Sequence, residues 1–145
     1  MRVDAPTQFA IVGAGPAGLY MAYRLKCRMP NAVVCVYEQK TADATFGFGV
    51  VFSDQALAFL KVDDPQTAAA ITPHMTTWQN MCLNHRGKTI TLDGIGFSAI
   101  GRLQLLQLLQ RRAVEVGAKL YYGMPIESLD TLNWAHLVIG ADGLN

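Results

Sequence analysis

The chain has 145 residues, 51% of them apolar and 16% charged, with 12 basic against 11 acidic side chains and a net charge of +1. That is one domain's worth of sequence, apolar enough to bury a core, and it excludes a disordered chain. Without a Lys/Arg cluster a nucleic-acid partner is not expected, and no apolar run reaches the length of a membrane span.

An apolar run over Gln8–Val12, followed at once by glycines, predicts a buried central strand. Residues 9–23 superficially resemble a signal-peptide core. However, Gly13, Gly15, Pro16 and Gly18 interrupt the run, and Asp4 stands where a positive charge would be expected. Pro16–Arg28 predicts a helix with Leu19, Ala22, Tyr23 and Leu25 available for its buried face, broken at Met29-Pro30-Asn31. Residues 32–37 predict a second strand, with Glu38 at its end. Strand, helix and strand make a βαβ unit, hence parallel pairing and a right-handed crossover.

Residues 41–51 read as a loop in which Gly47 and Gly49 permit unusual backbone angles. Ser53 is the expected N-cap of a helix over 54–60, and 66–71 predicts one more short helical turn after Asp64-Pro65. Residues 76–84 and Lys88–Leu92 predict a β-hairpin around His85-Arg86-Gly87. The clearest helix is 102–116, with Leu105, Leu106, Leu109 and Ala113 on one stripe and Gly117 as its C′ residue. Lys119–Tyr122 and 136–139 predict two more strands, the last running into Gly140-Ala141-Asp142-Gly143. The expected fold is α/β, a Rossmann-like dinucleotide-binding fold with a parallel sheet and an inserted β-hairpin.

Gly13-Ala14-Gly15-Pro16-Ala17-Gly18 spells G-x-G-x-x-G between a predicted strand and a predicted helix, and Glu38 follows about 20 residues after the last glycine. Gly13 permits the tight turn, Gly15 lets a pyrophosphate approach the backbone, and Gly18 lets helix and strand pack closely. The helix N-terminus offers free N–H groups and a positive dipole end to the phosphates. Glu38 can accept hydrogen bonds from an adenosine ribose, and its charge disfavours a 2′-phosphate, so NADP is a poor candidate for this site. The fingerprint does not separate NAD from FAD. Asp142-Gly143 taken alone is a simple turn; at a strand end its carboxylate can also bind cofactor hydroxyls.

No nucleophile or metal cluster stands out. His74, His85 and His136 are scattered, and Cys27, Cys35 and Cys82 lack ligand spacing, so no metal or disulfide is expected and a cytoplasmic location is. Ser53-Asp54 reads as a helix cap, Trp78 and Trp134 as packing residues, and Met75, Met81 and Met124 as gap fillers.

The fingerprint, Glu38, Gly101-Arg102 and Gly140-Ala141-Asp142-Gly143 together resemble the single-component FAD monooxygenases of the para-hydroxybenzoate hydroxylase-like superfamily. The stretch Phe46-Gly47-Phe48-Gly49-Val50-Val51-Phe52-Ser53-Asp54 is similar to the branch that includes salicylyl-CoA hydroxylase and anthraniloyl-CoA monooxygenase. The resemblance implies an enzyme that hydroxylates an aromatic substrate, with an aryl-CoA thioester one candidate, through a flavin hydroperoxide. It would use FAD, O₂ and NADH or NADPH. It implies cofactor contacts from Gly13, Ala14, Gly15, Pro16, Ala17, Gly18, Glu38, Gly49, Val50, Arg102, Asp142 and Gly143, with backbone groups of 124–126 near the adenine. Residues 1–145 are then expected to be the N-terminal portion of an FAD-binding domain, with most of the substrate pocket beyond Asn145. No catalytic residue is assigned, and a homodimer is left open. Two other readings remain: an FAD-dependent reductase or dehydrogenase on the same scaffold, and a non-catalytic nucleotide-binding module.

Overall fold

A computed structural model describes residues 5–44 and 47–143; Asp4, Phe46 and Asn145, used above, lie outside the described residues. In chain order the first elements are β1 (Gln8–Val12), α1 (Pro16–Arg28), β2 (Val33–Glu38), β3 (Gly49–Ser53), α2 (Asp54–Asp63) and α3 (Pro65–Ile71). After a 3-10 turn (Thr72–His74) come β4 (Thr76–Trp78), β5 (Met81–His85), β6 (Lys88–Leu92), β7 (Phe97–Gly101) and α4 (Arg102–Glu115). The chain ends with β8 (Lys119–Tyr122), a second 3-10 turn (Leu129–Leu132) and β9 (Leu137–Gly140). Contacts divide it into two compact units, residues 1–44 with 106–145, and residues 45–105.

The first unit is built on a four-stranded sheet in the order β8-β2-β1-β9, every pair parallel. Strands β1 and β2 occupy its middle, and consecutive residues there are buried whichever way they point: Phe9, Ala10 and Ile11 in β1, and Val34, Cys35 and Val36 in β2. A strand buried on both faces reads as an unbroken apolar run, which is why β1 and β2 were legible. Leu19, Ala22 and Tyr23 of α1 and Leu106, Leu109 and Ala113 of α4 supply the helical part of this core. Where α4 meets α1, the Arg112 guanidinium lies 4.3 Å from the centre of the Tyr23 ring and donates to its hydroxyl. At the C-terminal end of α1, the buried Lys26 Nζ donates to the carbonyls of Pro30 (2.6 Å) and Ala32 (2.9 Å), holding the return into β2.

The second unit holds a three-stranded antiparallel sheet, β3-β7-β4, two short helices and a separate hairpin, β5-β6. Ser53 caps α2 as expected, its Oγ accepting from Ala56 N–H at 3.2 Å. Asp64 caps α3: Oδ1 accepts from Thr67 N–H at 3.0 Å and Oδ2 accepts from the Thr67 hydroxyl. Trp78 stacks on Phe97 with ring centres 6.0 Å apart, a packing role.

Two expectations are corrected here. The loop expected over 41–51 gives way at Gly49 to β3, and the hairpin arm expected over 76–84 is two strands, β4 and β5, pairing in different sheets. Both errors have one cause. Strand β7, sequence Phe-Ser-Ala-Ile-Gly, is poor in β-branched residues, and its partners β3 and β4 lie far from it in sequence, so no local pattern announces the sheet. Among the described residues no helix is long and apolar enough to cross a membrane.

Candidate dinucleotide site

Strands β1, β2 and β9 run parallel, so their carboxyl ends lie together, the edge at which open α/β sheets bind ligands. The chain leaves β1 at Gly13, whose φ of +105° is a conformation L side chains rarely adopt. Gly13 N–H donates to Tyr37 O and Ala141 N–H donates to Val12 O, both at 2.7 Å, stitching the three strand ends together. A Cβ on Gly13 would overlap Ala141 O and approach Asp142 N to 2.7 Å, and a Cβ on Gly18 would overlap Gly13 O. The chain's own packing therefore demands both glycines.

Gly15 differs. Its φ is an ordinary −69°, and the nearest atom to a Cβ there would be Ala141 O at 4.0 Å. The protein itself therefore has room for a side chain at Gly15, unlike at Gly13 and Gly18. Gly15 is also the N-cap of α1. No side chain caps this 13-residue helix, Pro16 brings no N–H, and its first turn has no acidic residue. The positive end of the helix thus meets no competing carboxylate of its own.

Glu38, at the end of β2, holds this loop. Its Oε2 accepts from Ala14 N–H and its Oε1 from Lys40 N–H, both at 2.9 Å. Each carboxylate oxygen has a second lone pair, so the clamp leaves acceptor capacity for a ligand hydroxyl. The spacing rule pointed to Glu38 but not to this clamp, because the rule concerns the ligand and the clamp is internal. Residues 124–126 form no strand, and Met124 N–H already donates to Glu38 O at 2.9 Å, so that donor is not available to an adenine.

The first unit thus gathers Gly13, Ala14, Gly15, Pro16, Ala17, Gly18, Glu38, Asp142 and Gly143 at one sheet edge, with Gly143 turning at φ +83°. The other three predicted residues lie in the second unit. Gly49 pairs with Gly101 and Val50 with Ile100, and Arg102 N–H donates to Phe48 O at 3.3 Å as α4 begins.

Burial shifts three groups of the first unit. It pushes the Cys35 thiol up, only partly opposed by Lys119. It also raises the phenols of Tyr37, where the neighbouring Cys35 and Tyr121 add to the effect, and of Tyr122, where the Glu38 and Asp43 carboxylates do. The Tyr122 hydroxyl is buried without a hydrogen-bond partner among the described residues.

Comparison with known proteins agrees with this geometry. Residues 11–47 match the model of the NAD(P)-binding Rossmann-like domain. Over 94% of its length the chain is 38% identical to salicyloyl-CoA 5-hydroxylase of a Streptomyces species, covering 26% of that protein. Over this stretch the chain is similar to that hydroxylase. A second relative, 3-hydroxy-4-methyl-anthranilyl-[aryl-carrier protein] 5-monooxygenase of Streptosporangium sibiricum, is 28% identical over 90% of the chain and 36% of its own length. The chain thus spans about a quarter and about a third of these relatives. In fold it is similar to the tetrameric form of 2-methyl-3-hydroxypyridine-5-carboxylic acid oxygenase, with a TM-score of 0.69 and 20% identity over 81% of this chain and 32% of that one.

Proposed function

We propose that the protein is the nucleotide-binding part of an FAD-dependent monooxygenase that hydroxylates an aromatic ring carried as an aryl-CoA thioester, with NADH or NADPH as reductant and O₂ as co-substrate. The observation that supports the cofactor is the room a Cβ would have at Gly15, at the uncapped N-terminus of α1 and next to Ala14, whose N–H Glu38 holds. The residues fit a dinucleotide. The backbone of 13–18 would receive the pyrophosphate, with Ala17 and Gly18 in the first turn of α1. Glu38 would accept from the adenosine ribose through its remaining lone pairs. Asp142 and Gly143 would meet the ribityl or pyrophosphate portion, Gly49 and Val50 the ring, and Arg102 a phosphate or ribose, for which a guanidinium's paired donors suit it. When bound, the flavin supplies the electron transfer and oxygen activation that no side chain of this chain offers. The relation to two ring hydroxylases of thioester-linked substrates supports the substrate class.

Titrating the whole chain separately with FAD and with NAD tests this reading. Saturable FAD binding, followed by flavin fluorescence and calorimetry, with weak or no NAD binding is the expected result. Preferential binding of NAD would replace the flavoprotein with a nicotinamide-dependent dehydrogenase.

A further inference from the structure

The Glu38 carboxylate is only as well placed as the groups that hold it. Its Oε2 is anchored by Ala14 N–H, next to a Gly13 already bonded to β2, but its Oε1 depends on Lys40 N–H. Lys40 belongs to the stretch 39–44, which has no helix or strand of its own. Its shape is set by bonds to its carbonyls. Gly123 N–H, just past β8, donates to Lys40 O at 3.0 Å, and Ala44 N–H closes a turn onto Thr41 O at 3.1 Å. A third bond comes from a helix: Gln110 of α4 donates through Nε2 to Ala42 O at 3.1 Å. Gln110 stands at the rim of the face that α4 buries. Leu106 and Ala113, about a turn to either side, are buried, whereas Gln110 is half-buried. Its amide also borders Tyr122, the residue of β8 that pairs in register with Glu38. Burial first, then the Glu38 and Asp43 carboxylates, raise the Tyr122 phenol, and the Gln110 amide opposes part of that rise, although the hydroxyl makes no hydrogen bond among the described residues. All these residues belong to the first unit.

We propose that Gln110 is a positioning residue for the ribose-binding carboxylate: it fixes the 39–44 loop so that Lys40 N–H holds Glu38 Oε1 and the remaining lone pairs stay turned to the ligand hydroxyls. The inference rests on the reading above, with FAD as the ligand and Glu38 at its adenosine ribose. The argument is one of direction. With one internal donor on each oxygen, the carboxylate plane is fixed and each oxygen keeps a lone pair for the ligand. Without the Lys40 donor the carboxylate can turn about its last bond, both lone pairs lose their direction together, and ordering it again opposes binding. The bonds from Gly123 and Ala44 are made by backbone, whereas the Gln110 bond is made by a side chain that a substitution can remove.

The experiment is a double-mutant cycle on the whole chain, read by FAD titration. Gln110→Met keeps the length and helix propensity of the side chain and deletes the donor. It should weaken FAD between about three- and tenfold, the order that one neutral hydrogen bond is worth. Adding Gln110→Met to Glu38→Ala should weaken FAD no further than Glu38→Ala does by itself, because Gln110 acts through Glu38. In the ligand-free chain, hydrogen exchange at the Lys40 amide should quicken in Gln110→Met by more than at any amide of β1; a purely structural loss would not single out that amide. Equal FAD affinity in the parent and Gln110→Met overturns the proposal and leaves the cofactor reading standing. So does full additivity in the cycle, which would make Gln110 a helix-to-loop staple independent of Glu38. A parent chain that binds no FAD overturns the cofactor reading instead. Lys40 exchange then decides the positioning by itself: faster exchange in the variant upholds it, and equal exchange overturns it.

Discussion

Gly13, Gly15 and Gly18 share a motif but not a reason. Gly13 and Gly18 are required by neighbouring backbone, whereas Gly15 is required by nothing in the chain. Gly18→Ala should therefore destabilise the fold by about 1–3 kcal/mol, the usual cost of forcing an atom into packed space. Gly15→Ala should leave the fold as stable or gain ~0.4–1 kcal/mol through the unfolded chain, while FAD affinity falls at least tenfold. Urea denaturation beside a flavin titration separates the two effects; unchanged affinity in Gly15→Ala would remove the pyrophosphate from that position. Glu38→Ala should affect both readouts, because it strips the acceptor from two backbone N–H groups at a cost of about 1–3 kcal/mol and also removes the proposed ribose contact. Among the thiols, Cys27 and Cys82 are exposed and Cys35 is buried with its pKa raised. A thiol reagent at neutral pH should modify the first two quickly and Cys35 only as the protein unfolds; rapid modification of all three would show that β2 is not at the centre of the sheet.

At the level of elements, β8 contributes a pH response. Burial first, then the Glu38 and Asp43 carboxylates, keep the Tyr122 phenol neutral above its ordinary pKa of 10.0. A raised folded-state pKa contributes stability that is fully present below about pH 10 and is lost as pH rises through the folded value, because the unfolded chain ionises first. Tyr122→Phe should leave neutral-pH stability unchanged or raise it, since it deletes a buried hydroxyl without a partner, and should reduce the loss of stability above pH 10. Melting temperatures between pH 8 and pH 11 would show this, and parallel curves for parent and variant would contradict it. The contrast between elements also explains what the sequence revealed. The βαβ unit, its fingerprint and α4 were readable because each is a run of adjacent residues with its own period and punctuation. The β3-β7-β4 sheet was not, because it is held by pairs such as Val51 with Ala99 that are distant in sequence. Of the candidate site, the turn glycines after β1 and Glu38 at the end of β2 could be read from their spacing. The bonds from Glu38 to Ala14 and Lys40 N–H could not, since they depend on how the loop folds back over the end of β2.

Across the whole molecule, these differences predict a gradient of stability. Strands β1 and β2 are flanked on both edges, and Ala10, Ile11, Val34 and Val36 have almost no exposed surface, so their amides reach water only when the first unit unfolds. Among the described residues the β5-β6 hairpin has two edges, no sheet neighbour and a largely exposed apolar face, so its amides can open without disturbing any other described strand. Hydrogen exchange read by mass spectrometry should therefore find residues 9–12 and 34–38 the slowest in the chain and 82–91 among the fastest. FAD should slow exchange in the segment after β1, where Gly15 and the first turn of α1 are proposed to meet the phosphates. A hairpin already as protected as β1 would mean that the exposed face of Leu83 and Ile90 is covered in solution, and the gradient would be refuted.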